Sequence, residues 1–566
     1  MSQSYDRQFF VILVEGLHML SIKNKGIFFF IGIMLFSLTS CESIEEEVDE
    51  AIHVPSAYAH VGLQPFMDKV TVEMVRETND SLRQLELRYE NEDIHTNRWL
   101  DLYRDVLNID VRYKWTADSP AYYQQLFADL SAKRLPDIVR VDAAQMRSLA
   151  KQGLIADLTE VFDTYVTPYT LDVLSDGGVN YIESAYIDGK LMGIPEIGSP
   201  VDKMQFLWIR MDWLEKLRLD PPKTMEDVLN LSHAFTHQDP NDTGKDDTLG
   251  LGVTNYLWNP IGGLHGFMAG FHAYPQIWIE NEDGAVVYGG IQEEVKTALS
   301  VLRDMYLDGQ IDESFIYRDS DHMREQIIQG KLGMFFGEQW ASFYAEQSFI
   351  EDPQADWRAF PIMSHDQSDV FMPLSSGVEY YWVVKKDFEY PEALVKIINL
   401  HLEKNWGTTA EYEQYYSTPY SVWQFSPITP YPIYKNLEAF RQIKKAVKED
   451  NTEHLTGEAK SIYRMLMNYE QGDLAGWGWY RTYGPDGAYD LLDQFVQDGR
   501  LLYDVYDWPS TESMNELETI LTNRQIDAYH NIILGQQVAD FDLFVEDWNR
   551  LGGEVLTDQI NVSHQE

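Results

Sequence analysis

One cysteine, Cys41, stands in 566 residues, so no intramolecular disulfide can brace this chain. Its fold must be held by packing, hydrogen bonds and any ion it binds. The position of that cysteine is as informative as its solitude. It closes the run Leu38-Thr39-Ser40-Cys41, after an apolar stretch from Gly26 to Leu38 that Lys23 and Lys25 precede, and an acidic segment from Glu42 to Glu50 follows. A basic start, an apolar middle and small residues at its end make an export signal. The apolar stretch is shorter than the roughly 20 residues that a membrane-spanning helix needs.

The arrangement resembles a bacterial lipoprotein signal, which implies cleavage after Ser40 and a lipid on Cys41. Residues 1–40 are then signal peptide, and 41–64 form an acidic tether between the lipid and a globular body. An ordinary signal peptide with a chance cysteine is the alternative. A signal beginning at Met19 would already be complete, which marks Met19 as a possible true start. Roughly 525 residues remain after the anchor, more than one core usually holds, so two lobes are expected. The hydrophobic share, 44%, suffices to pack both.

The formal charge is −47. Residues 1–40 carry three basic and two acidic side chains, which leaves −48 on the rest. Such a field repels phosphate backbones, so nucleic acid is excluded as a partner, and a polyanionic ligand needs local basic groups. A neutral ligand is indifferent to it. Acidity also keeps an exported protein soluble, a sufficient cause by itself. Aromatic residues reach 13%, with 34 tyrosines and 15 tryptophans. Most are expected in the cores, and the remainder suit sugar rings, whose C–H faces stack on aromatics while their hydroxyls seek polar groups.

Alternation predicts strands at Thr71 to Arg76, Ile109 to Trp115, Leu135 to Val139, Gly193 to Glu196 and Phe206 to Arg210. Helical spacing joins Trp99, Leu102, Tyr103 and Val106, and again Tyr123, Leu126, Phe127 and Leu130. Strand and helix in alternation predict an α/β lobe with a largely parallel sheet. Thr224 with Asp227 forms a capping pair that opens a further helix after Pro221-Pro222. Helical patterns recur in Val295 to Tyr306, Met323 to Gln329, Pro391 to Leu402 and Phe541 to Leu551, and helices and loops dominate beyond Asn405.

Signatures of nucleophile elbows, zinc proteases, phosphate-binding loops and cysteine metal sites are absent from the sequence, and no enzyme is expected. A pair of carboxylates placed for glycoside cleavage could still arise among 91 acidic residues. One loop carries specific chemistry. Asp239, Asn241, Thr243 and Asp247 place oxygens at relative positions 1, 3, 5 and 9, with Gly244 at 6 for the turn and the Lys245 carbonyl at 7, the layout of a calcium loop. Position 12 is Gly250, so the bidentate carboxylate of an EF-hand is missing. A structural calcium site completed by water or a neighbour is expected, with an ordinary Asp/Asn/Gly turn as the alternative.

Several segments together resemble family 1 of the extracellular solute-binding proteins, the lipid-anchored receptors of carbohydrate ABC importers. They are Leu135-Pro136-Asp137-Ile138, Gly189-Lys190-Leu191-Met192-Gly193-Ile194-Pro195, Leu207-Trp208-Ile209-Arg210-Met211-Asp212-Trp213-Leu214, and Gly330-Lys331-Leu332-Gly333-Met334-Phe335-Phe336-Gly337. The tail from Asp542 to Gly553 is similar to the large lipoprotein-type members of Gram-positive bacteria such as Paenibacillus. Calcium-holding alginate-oligosaccharide binders match the loop at Asp239, Asn241, Lys245 and Asp247. The resemblance implies a two-lobed α/β periplasmic-binding-protein fold, type II-like, with a cleft between the lobes and an extended helical C-terminal part. It further implies an oligosaccharide ligand, delivery to permease subunits, a monomer, and a place on the extracellular side of the cytoplasmic membrane. The expected divisions are a first lobe from 65–200, a second lobe from 201–340, a return to the first over 341–405, and an aromatic-rich part of the second over 406–566.

Ligand contacts are expected from Asn97 and Arg98 at a helix start, Glu196 after a strand, and Trp258 and Trp340 in aromatic-polar clusters. Trp477, Trp479 and Arg481 are expected from the loop Gly476-Trp477-Gly478-Trp479-Tyr480-Arg481, and Glu379 and Trp382 from around Tyr380-Tyr381. Core packing, capping and surface ion pairs are the competing roles. Two further functions stay open at this level: a surface-anchored glycosidase or lyase, and a sugar sensor that signals to a membrane receptor.

Overall fold

The fold rests on two separate hydrophobic cores and on three places where the chain passes from one to the other. The computed structural model describes residues 59–175, 180–281, 283–375, 377–417, 420–506 and 512–565. Cys41, the signal and most of the acidic segment lie outside the described residues. The last part of the expected tether is instead docked. The Gly62 carbonyl accepts from Asn399 Nδ2 at 3.1 Å, and Lys396 Nζ, its pKa pushed down to about 8 by burial, donates to Gln64 O at 2.8 Å.

In the first lobe, strand Val70–Thr78 runs parallel to Ile109–Asp118. Strand Ile138–Val141 pairs antiparallel with Val378–Val384, which pairs antiparallel with Ile194–Ile197. The lobe therefore holds a parallel pair and a separate antiparallel three-stranded sheet rather than one largely parallel sheet. The reason is topological: Val378–Val384 returns from the other lobe and inserts centrally, so no right-handed crossover helix dictates its direction. Helix Arg98–Leu107 packs Trp99 and Tyr103 inward as their spacing predicts. Helix Ala121–Ser131 buries Tyr122, Leu126 and Leu130 but leaves Tyr123 and Phe127 exposed. The apolar stripe was wider than the face the core could cover.

The second lobe is built on a four-stranded sheet in the order Trp357–Phe360, Gln205–Arg210, Leu332–Glu338, Leu249–Gly252. Gln205–Arg210 is buried at every position, as a central strand covered on both faces must be. Helix Met225–His237 starts with the expected capping box of Thr224 and Asp227. The helices Glu293–Leu307, Lys435–Glu449, Gly457–Glu470, Ala488–Gln497 and Asp540–Trp548 surround this core.

The first core takes residues between Leu63 and Ile197 and between Tyr381 and Ile433. The second takes residues between Val201 and Leu374 and between Leu437 and Ile560. The expected boundary at 340 thus moves to the neighbourhood of 374, because helix Ser342–Glu351 and strand Trp357–Phe360 complete the second core. Residues 406–433, expected in the second lobe, close over the first. The crossings fall near 198–200, 375–378 and 434–436. At two of them the chain pairs with itself, Gly198 N donating to Gly377 O at 2.8 Å, and Gly377 adopts φ +85°, a left-handed conformation natural to glycine.

Candidate ligand cleft

In both sheets every strand except Gln205–Arg210 and Val378–Val384, which start there, points its carboxyl end toward the crossings. Glu338 pairs with Gln205, immediately after the first crossing, and Tyr380 pairs with Glu196, immediately before it. Open α/β sheets place ligands outside the carboxyl ends of their strands, which makes this the candidate ligand site.

Asp202 anchors the crossing. Its carboxylate accepts from Tyr489 Oη at 2.8 Å and from Asn436 Nδ2 at 2.8 Å, and burial raises its pKa against those hydrogen bonds. Next to it, Lys435 Nζ donates to Glu458 Oε1 at 2.9 Å, with each side chain 9% exposed. Burial opposes the Lys435 charge, yet Tyr416 and Glu458 outweigh it and hold the ammonium above its ordinary pKa. From the first lobe, Tyr412 Oη donates to Glu458 Oε1 at 3.0 Å and Trp406 Nε1 to Glu458 Oε2 at 3.3 Å. One carboxylate of the second lobe is thereby held by two aromatics of the first.

Aromatic faces are ranked beside this network. Tyr412 stacks on Tyr416 at 4.8 Å and Tyr416 on Trp423 at 6.1 Å. Across the crossing, Tyr483 stacks on Tyr489 at 4.6 Å and on Trp479 at 6.0 Å. Half-buried Trp340 donates from Nε1 to Glu338 Oε2 at 2.6 Å, and burial pushes the Glu338 carboxyl up to about 7. Aromatic rings of both lobes and carboxylates of the second meet here; Tyr412, Tyr483 and Tyr489 are buried backing, and the half-buried Tyr416, Trp423 and Trp479 carry the faces suited to sugar rings.

The family model of the bacterial extracellular solute-binding proteins matches residues 103–413, more than half of the chain. The chain belongs to this family. Among its relatives, the polygalacturonan/rhamnogalacturonan-binding protein YtcQ of Bacillus subtilis is 28% identical over 235 residues, 41% of this chain and 45% of that protein. The fructooligosaccharide ABC transporter substrate-binding protein FusA of Streptococcus pneumoniae is 21% identical over 337 residues, 56% of this chain and 61% of that protein. The chain thus spans about half the length of these curated relatives in its matches. By structure, a FusA EF-hand mutant in complex with fructo-nystose superposes with a TM-score of 0.62 at 14% identity, covering 88% of this chain and 99% of that one. The alginate-binding protein AlgQ2 without calcium ion gives 0.58 at 13% identity, covering 89% and 99%. The two-lobed fold expected from the sequence is the fold of these proteins.

Within this solute-binding protein, many residues expected at the ligand have other employment. Asn97 is buried and caps helix Arg98–Leu107, its Oδ1 accepting from Trp99 N and Leu100 N. Arg98 forks onto Glu92 and donates to Gln414 O at 2.7 Å. Glu196 lies inside strand Ile194–Ile197 at 3.1 Å from Arg140, whose guanidinium sits 3.7 Å over the Tyr380 ring. It remains at the cleft edge of the first lobe. Trp382 and Trp258 are 6% exposed, in the first and second cores respectively, and Trp258 packs on His265. The Glu379 side chain lies outside the described residues.

The Trp477 segment is a helix, Trp477–Tyr483, not a loop. Its glycines serve packing: a Cβ on Gly478 would meet Phe343 at 2.6 Å. Trp477 is fully buried and stacks on Phe349 at 4.9 Å, and Arg481 is paired with Asp356. Only Trp479 of that trio stays half-buried near the cleft aromatics. Trp406, Tyr412, Tyr416, Lys435 and Glu458 carried a signal that passed unread: the proline-rich run Ser426-Pro427-Ile428-Thr429-Pro430-Tyr431-Pro432 marks an extended crossing between helices.

The loop after helix Met225–His237 gathers oxygens as its sequence predicts. Asp239 Oδ1 and Oδ2 accept from Thr243 N and Gly244 N, each at 3.0 Å. Asp247 Oδ1 accepts from Asn241 Nδ2 at 3.1 Å and Thr243 Oγ1 at 2.9 Å, contacts that hold its carboxylate below the usual range. Gly244 takes φ +67°, which the tight turn requires. Gly250, at position 12, lies in strand Leu249–Gly252 with Ser232 O only 2.2 Å from where a Cβ would stand. A ligating side chain cannot be accommodated there. The donor set of Asp239, Asn241, Thr243, Asp247 and the Lys245 carbonyl fits a hard, oxygen-seeking cation.

Proposed function

We propose that this solute-binding protein captures an oligosaccharide between its lobes and delivers it to the permease of an ABC importer. The observation that carries the reading is the meeting, at the chain crossings, of half-buried Tyr416, Trp423 and Trp479, stacked on buried Tyr412, Tyr483 and Tyr489, with the network of Asp202, Lys435 and Glu458. Closing the lobes desolvates such a ligand between rings and hydrogen-bonding groups, and the closed shape is what a permease can recognise. The relatives YtcQ and FusA, described as binding pectic polymers and fructooligosaccharides, point to a neutral or uronic-acid oligosaccharide. The protein turns nothing over: it binds and releases. A lipid on Cys41 holds it at the outer face of the cytoplasmic membrane and raises its concentration near the permease. Calcium occupies the Asp239–Asp247 loop and braces the second lobe. The protein works as a monomer.

The test is a thermal-shift screen of the mature protein against fructooligosaccharides, polygalacturonan and rhamnogalacturonan fragments and alginate oligomers, with calcium and with chelator. Chromatography of the sugars follows. A large upward shift with one intact class supports the receptor and names its ligand. Cleaved sugar, or no shift with any class, overturns it. Intact mass of the cell-derived protein reports the lipid: a chain that begins elsewhere than at a lipid-modified Cys41 removes the anchor.

A further inference from the structure

In the second lobe, beside the calcium loop, three side chains that ligate metals converge. His233 and His237 stand one turn apart on helix Met225–His237, so their rings emerge on one face, with centroids 4.5 Å apart. Asp308, which caps the C-terminal end of helix Glu293–Leu307, reaches both with a single oxygen. Oδ2 lies 2.9 Å from His233 Nδ1 and 3.1 Å from His237 Nε2. Gln310 Nε2 donates to the same oxygen at 2.8 Å and fixes the carboxylate, as the outer partners of metal ligands do.

The spacing is that of a coordination sphere about to open. In a tetrahedral site with bonds of about 2.0–2.1 Å, neighbouring ligand atoms stand about 3.3 Å apart. Each contact need lengthen by only a few tenths of an ångström, and the side chains, 56%, 35% and 43% exposed for His233, His237 and Asp308, are free to give that much. A cavity of about 610 Å³, lined by His237 and Asp308 together with Asp247, Asp312 and Glu313, supplies water for the open position and a negative field that concentrates cations. Two imidazoles and one carboxylate are a borderline donor set, which favours zinc, cobalt or nickel over calcium and magnesium. The second cluster of this kind, His272, His365 and Asp366, is less convergent. There the His272 ring nitrogen is shared with Ser368 Oγ at 3.1 Å, and His365 Nε2 stays 4.0 Å from Asp366.

We propose that His233, His237 and Asp308 bind a divalent transition-metal ion of the zinc class, which clasps helix Met225–His237 to helix Glu293–Leu307 independently of the calcium loop. The experiment uses the mature protein stripped with chelator and then titrated with Co2+ or Zn2+. Wild type is expected to develop the intense visible absorption of four-coordinate Co2+ and to melt higher with Zn2+. H233A/H237A should lose both responses and bind Co2+ at least tenfold more weakly, while H272A/H365A keeps them. Asp308→Asn, which retains a carbonyl for Gln310, is the second variant should the double change disturb folding. Its melting point without metal reports that the fold is intact. Undiminished Co2+ binding by either variant, or only the weak spectrum of six-coordinate Co2+ in wild type, overturns the site.

Discussion

Glu338 is a carboxyl at the crossings whose chemistry its surroundings change. Burial takes it to about 7, so the folded protein favours the neutral acid. That preference stabilises the fold fully below about pH 4.5 and is lost as pH climbs through about 7, a swing of at most about 3 kcal/mol. Glu338→Gln keeps an oxygen for Trp340 Nε1, and its melting temperature is expected to vary less than wild type between pH 4.5 and 8; a slope equal to wild type would sink the assignment. Glu458 is a carboxylate with three partners, one of them the buried cation Lys435. Glu458→Ala strands Lys435, and urea titration should show a loss of about 3–5 kcal/mol. Arg98 and Arg481, expected at the ligand, are each committed to a carboxylate of their own lobe. Neighbours in sequence could not reveal the partner of Arg481, because Asp356 lies 125 positions away, whereas Glu92 stands six positions from Arg98.

Elements were easier to read where local chemistry alone sets them. Thr224 and Asp227 close a reciprocal cap within four residues, and Asn97 caps its helix with Trp99 N and Leu100 N. Asn97→Ala is expected to cost about 1–2 kcal/mol in denaturant titration and to leave the sugar affinity of the folded protein unchanged. The oxygen spacing of the Asp239–Asp247 loop was equally local, and its convergence follows from it. Asp239→Ala should abolish the rise in melting temperature that calcium gives wild type, a difference that scanning calorimetry with and without chelator reads directly. The helix Trp477–Tyr483 was misread as a loop, since two glycines within three residues oppose helix on propensity alone. What overrides that cost is tertiary: Trp477 stacks on Phe349, and Gly478 lets Phe343 approach. The same event moved Trp477 from the candidate ligand contacts into the core.

At the scale of the whole molecule, function resides in the crossings. Ligand binding is expected to draw the lobes together about 198–200, 375–378 and 434–436, and small-angle scattering of the mature protein should show a smaller radius of gyration with its oligosaccharide than without it. An unchanged radius with saturating ligand would refute closure. The sequence alone determined the absence of an intramolecular disulfide, the strongly negative charge, the α/β class and the oxygen spacing of the Asp239–Asp247 loop, because each is a matter of composition or of spacing within about a dozen residues. Which strands would be antiparallel, where each lobe ends and which aromatics face the cleft were decided only by tertiary structure. Those outcomes depend on bringing Tyr412 against Glu458, or Val378–Val384 between Ile138–Val141 and Ile194–Ile197, and such contacts join segments whose own periodicity is satisfied equally well in a core or at its edge.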